Sequence, residues 1–140
     1  MSTVEGQLYD HFNSNVPGGL NISWMSQNVR FAPESTLTYV LPYIELLTSV
    51  AREIPHNSTN SMVAEDYIFS LNLLVPLDSG TQVARGHVDS FRTLYHKKTI
   101  NTTDHQYHFD VMVSRPGSPS DDFPEHFEIP VAANFRLYRT

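Results

Sequence analysis

A chain of 140 residues fits one domain with room for a true core, and 40% hydrophobic against 17% charged residues excludes a disordered chain. With no cysteine there is neither a disulfide framework nor a thiolate zinc site, so apolar packing must hold the fold. The formal net charge of −6, with no basic run longer than Lys97-Lys98, argues against nucleic-acid phosphate as a binding partner.

Ser2 and Glu5 form an S-x-x-E capping box, and Val4, Leu8 and Phe12 recur behind it, which predicts an amphipathic helix over residues 3–13. Asn15, Pro17, Gly18 and Gly19 end it. Ile22 to Trp24 predicts a short strand, followed by an irregular segment with Asn28, Phe31 and Pro33; Trp24 is expected to anchor the core, the alternative being an interface. From Leu37 to Leu47, and as far as Val50, the composition predicts a strand in which Pro42 requires an edge position or a bulge. After a polar loop from Ile54 to Ser61, the residues Tyr67, Phe69, Leu71, Leu73 and Val75 alternate, so the two strands form a long hairpin.

Ser79 with Gln82 makes a second capping box, and Ala84, Val88, Phe91, Leu94 and Tyr95 share one face of a helix that runs to about His96. Next, Tyr107, Phe109, Val111 and Val113 alternate as a strand with that set inward. The Pro-rich, acidic stretch from Arg115 to Glu125 predicts an exposed loop. In the last strand Phe127, Ile129, Val131, Ala133, Phe135 and Leu137 form the buried face, with Glu128, Pro130, Asn134 and Arg136 opposite. The expected fold is a single α+β domain over residues 1–140, a mainly antiparallel sheet with two α-helices packed on one face.

Local catalytic signatures are absent: there is no Gly-rich phosphate loop, no G-x-S-x-G and no H-E-x-x-H. Met1 to Glu5 lacks the basic and apolar segments of a signal peptide, and no apolar run reaches membrane-spanning length, so a cytosolic protein is expected. On that expectation the Asn-x-Ser/Thr matches at Asn21, Asn57 and Asn101 are turn chemistry. Asp104, His105, His108 and Asp110 could be drawn as a metal cluster, but on a strand His105 and His108 diverge, leaving only His108 and Asp110 on a common side. His87 reads as a hydrogen-bonded histidine at the core margin, and His96, Lys97 and Lys98 as cations at a helix C-terminus. Asp121 and Asp122 sit together in a Ser-Pro loop without the fixed separation acid/base catalysis needs. No cofactor and no metal are expected.

A wider pattern runs through the opening helix, Ile22-Ser23-Trp24 with Asn28, Phe31 and Pro33, and the strand holding Tyr39 and Val40. It continues through Asp66 to Pro76, then Gly80, Ala84 and Phe91, and ends on Phe127-Glu128-Ile129-Pro130-Val131 and Phe135-Arg136. In that order and spacing, along most of the chain, it resembles the tail terminator proteins of long-tailed, non-contractile bacteriophages. Thr48 to Ala64 departs from it, being longer and more polar than that family's hairpin. The resemblance implies a non-enzymatic virion subunit that forms a six-membered ring on the last ring of the tail tube. It would stop tube growth and offer the head connector a docking surface, with DNA passing through its lumen. Together with the two polar loops it points to His56, Asn57, Arg115, Asp121, Asp122 and Glu125 as interface residues. The alternatives are a head-to-tail connector or tail tube protein, or a small enzyme or ligand-binding domain using His108 and Asp110.

Overall fold

The computed structural model describes residues 3–16, 18, 20–23, 31–53, 61–80, 82–102 and 105–139. Helix α1 (Val4–Asn15) is capped by Thr3, whose Oγ1 accepts a hydrogen bond from the Gly6 amide at 2.9 Å. The cap therefore falls one residue later than the Ser2 box predicts, and the capped position is a glycine with no side chain to reach back. Short strand β1 (Asn21–Ile22) pairs in parallel with the start of β2 (Tyr39–Glu53). Trp24 and Asn28 lie outside the described residues.

Strand β2 returns as β3 (Ser61–Pro76) in the long antiparallel hairpin expected from the alternation. Pro42 sits in β2 without breaking it. The Val40 carbonyl accepts from Ser23 on the β1 side, so Pro42, two residues on, turns its donorless nitrogen away from β3. The bulge in β2 falls later, between Leu46 and Thr48.

A turn with positive φ at Asp78 and Gly80 leads into α2 (Gln82–Tyr95). The second predicted capping box does not form. Gln82 is the first helical residue, and Ser79 lies in the turn, donating its hydroxyl to the Pro76 carbonyl at 2.7 Å. Ala84, Val88, Phe91 and Tyr95 are buried as the helical period requires, with Leu94 half-buried at the margin.

Strands β4 (Thr99–Asn101) and β5 (His105–Ser114) form a short hairpin, followed by β6 (Ser118–Pro119), β7 (His126–Ile129) and β8 (Val131–Arg139). The sheet runs β1-β2-β3-β8-β5-β4, and β7 continues the track of β8 along β3, interrupted at Pro130. This is the α+β architecture with a mainly antiparallel sheet.

One strand departs from its predicted register. A bulge between Phe109 and Met112 places two residues of β5, Asp110 and Val111, opposite Asn134 alone. Beyond it the faces exchange: Met112 is buried, while Val111 and Val113, predicted inward, are 42% and 54% exposed.

Leu8 and Phe12 of α1 and Val88, Phe91 and Tyr95 of α2 pack on one sheet face made by Val40, Phe69, Leu71, Tyr107, Phe109, Phe135 and Leu137, among others. Aromatic rings fill the centre: Phe69 meets Tyr95 edge-on at 5.2 Å, and Phe135 stacks on Tyr67 at 5.0 Å. Polar contacts pin α1 at the rim. His11 Nδ1 lies 2.9 Å from the Tyr95 hydroxyl. Gln7 Oε1 accepts from Thr102 Oγ1 at 3.2 Å, from His105 Nδ1 at 3.0 Å and from the Tyr107 hydroxyl.

Candidate assembly surface

Both described helices lie on one face, and among the described residues no helix covers the opposite face of β2, β3, β8 and β5. Strand alternation sends Tyr43, Ile68, Ser70, Asn72, Ala132, Asn134, Arg136 and Tyr138 to it, and the bulges add Leu47, Val111 and Val113. Two open depressions of about 1030 and 630 Å³ mark this face, and they share Asp110 and Asn134.

Asp66 and Arg136, directly opposed across β3 and β8, form a two-pronged ion pair, with Nε–Oδ1 at 2.8 Å and Nη2–Oδ2 at 3.2 Å. The hydrogen bonds that the Arg136 guanidinium donates to the Asp66 carboxylate, then its hydrogen bond with Tyr138 and the nearby negative charge, push it further up from its ordinary value. These partners are 70 residues apart, and no local spacing announces them.

His108 and Asp110 do share this face, as the alternation predicts. The His108 ring is fully engaged: Nε2 is 2.8 Å from Gln106 Oε1, Nδ1 is 3.3 Å from the Thr99 hydroxyl, and Tyr138 meets the ring edge-on at 5.2 Å. Asp110 turns its carboxylate onto the Val111 amide at 2.8 Å, inside the bulge. His105 points to the other face and is buried, as expected. Among the described residues no three His, Cys, Asp or Glu side chains gather as a metal site would require.

Two other histidines hold backbone groups. His126, buried, donates from Nε2 to the Leu37 carbonyl at 3.1 Å, and His96 Nδ1 accepts from the Met112 amide at 3.0 Å beside the bulge. Burial lowers the pKa of His11 and of His87. The hydrogen bond expected at His87 is not found among the described residues.

Of the sequence-predicted interface residues, His56 and Asn57 lie outside the described residues. Arg115, Asp121, Asp122 and Glu125 are all exposed. Arg115 lines the smaller depression, while the three carboxylates sit on the turn between β6 and β7. The stretch from Arg115 to Glu125 is not the free loop its composition predicts. Ser118 and Pro119 pair with Glu128 and Phe127, Ser120 is buried, and a Cβ on Gly117 would collide with the Phe127 ring and sit 2.8 Å from the Glu128 carbonyl. Replacing residues 116–122 by a Gly-Ser turn would therefore remove packed structure. Glu128, on the rim of the same lobe, has its carboxyl held above the usual range, first by burial and then by the charges of Asp122 and Asp121.

No family model matches the chain, and no curated protein matches it. Among solved structures, one known only by a serial designation, with no activity in its name, superposes with a TM-score of 0.66 at 12% identity. The match covers 97% of this chain and 96% of that one. At that identity the likeness is one of fold alone.

Proposed function

We propose that the chain is a tail-terminator subunit: a virion protein that joins copies of itself, in a ring of six, on the end of a bacteriophage tail tube. There it stops tube polymerisation and receives the head-completion protein, with DNA passing through the lumen without specific binding. The observation that carries this reading is the sheet face that no described helix covers. It is broad, of mixed polarity and open, which suits contact with another protein surface better than enclosure of a small substrate. The chain-wide resemblance supplies the specific role.

The enzyme reading centred on His108 and Asp110 has less support, because both His108 nitrogens and the Asp110 carboxylate are occupied by neighbours. The test is to add purified protein to polymerising tail tube protein from the same virus and to measure tube lengths and end caps by electron microscopy. Capped tubes of arrested length are expected. Unchanged growth with bare ends would sink the reading.

A further inference from the structure

Charge is unevenly distributed along this acidic chain. Residues 82–98 hold four of the nine basic residues, Arg85, Arg92, Lys97 and Lys98, against one of the fifteen carboxylates, Asp89. The lobe after β5 reverses this: Asp121, Asp122, Glu125 and Glu128 stand within eight residues that contain no Lys or Arg.

Both patches lie on surfaces that the described residues leave open. Along the outer side of α2, Val83 is 60% exposed, Arg85, Asp89 and Arg92 are exposed, and a Cβ built on Gly86 meets nothing within 4 Å. Lys97 and Lys98, past the end of the helix, are also exposed. None of Arg92, Lys97, Lys98, Asp121, Asp122 or Glu125 makes an ion pair with another described residue.

The patches also sit at opposite ends of one element. The Leu77 amide donates to the Glu125 carbonyl at 3.2 Å, which ties the acidic lobe to the turn just before α2. Arg92 lies about 15 Å along the helix from Gln82 at 1.5 Å per residue, and Lys97 and Lys98 follow the helix end. Among the described residues no ion pair joins them to the lobe of their own chain. They can reach that of another copy, and a head-to-tail contact of this kind repeated around an axis closes into a ring, whereas the same two patches paired reciprocally give a two-fold dimer.

We propose that the outer face of α2 is a self-association surface, on which Arg92, Lys97 and Lys98 of one copy receive Asp121, Asp122 and Glu125 of the next. This rests on the ring reading above and assigns its subunit contact. The occupant is a second copy because the complementary charge is carried by the chain itself, at the position a head-to-tail contact requires. Asp89 and Asp110 near the basic end limit which orientations are tolerated, since a misaligned acidic lobe would meet like charge.

A charge swap tests it, using native mass spectrometry and sedimentation velocity at low and high salt. R92E/K97E and D121K/D122K should each raise the concentration at which copies associate by about tenfold or more, and salt should do the same to the wild type. The chain carrying both sets of changes should associate again. All six residues are exposed, so thermal melts should stay close to wild type and separate lost assembly from lost folding. Association indifferent to the single sets, or not regained in the combined chain, overturns the proposal. So does a wild type that stays monomeric throughout, and so does an R92E/K97E chain that self-associates normally but no longer binds duplex DNA or tube protein. Charge-dependent rings that fail to cap tubes would leave this contact standing and remove the terminator reading instead.

Discussion

Phe135 and Arg136 are neighbours in sequence and opposites in environment. Phe135 is 2% exposed and surrounded by the rings of Tyr67, Phe109 and Tyr107, whereas Arg136 reaches across the open face to Asp66. Phe135→Ala should cost roughly 3–5 kcal/mol in denaturant titrations, the usual price of a large core cavity. Arg136→Ala should lower stability far less, because solvent screens an exposed ion pair. The reverse order would mean that the β8 register is wrong by one residue. His11 and His87 give the molecule an acid-sensitive term. Burial lowers both pKa values, so the unfolded chain takes up protons first as the pH falls below about 6.5, and stability is progressively lost from there down to the folded-state pKa values. Glu128 acts in the opposite sense, since its raised folded-state pKa favours the native state as it protonates. The urea midpoint should therefore drop between pH 7.5 and 5.5. The drop should shrink in H11Q/H87Q; an unchanged drop in that variant would assign it to other groups.

At the scale of elements, regular periodicity was legible and its interruptions were not. Leu8 with Phe12, Val88 with Phe91, and Phe135 with Leu137 follow helix or strand period, and each lands in the core. The alternation of Tyr107, Phe109, Val111 and Val113 is an equally good strand pattern, yet the bulge at Asp110–Val111 reverses its second half. The bulge is held by the Asp110 carboxylate on the adjacent Val111 amide and by His96, sixteen residues back, on the Met112 amide, and that second contact depends on the fold. The Arg115–Glu125 stretch was missed for a similar reason: its composition is that of a loop, and only pairing with β7 makes part of it strand. Position along β5 now has a measurable consequence. Met112→Ala, at a buried site, should cost about 2–5 kcal/mol, while Val113→Ala, more than half exposed, should stay within about 0.5 kcal/mol of wild type. Equal losses at the two sites would argue against the bulge.

At the scale of the whole molecule, the one-sided arrangement separates what holds the fold from what is free to meet a partner. α1 and α2 cover the face that supplies most of the core, so substitutions there act first on stability. The other face keeps Tyr43 on β2 and Val113 on β5 41% and 54% exposed, the latter in the wall of the smaller depression. The make-up of this face was only half legible from sequence, since Asp66 with Arg136 and the exposure of Val113 depend on strand pairing. If this face is covered in the assembled tail, charges placed on it should leave folding nearly intact and oppose docking, because burying an unpaired carboxylate costs far more than exposing one. Tyr43→Asp with Val113→Asp should thus melt within a few degrees of wild type yet cap tail tubes poorly. Ser14→Asp, exposed on α1, should cap normally and serves as the control for added charge. Equal capping by all three proteins would leave the open face out of the contact. Loss of capping by Ser14→Asp as well would show net charge to be the cause, in place of the surface that carries it.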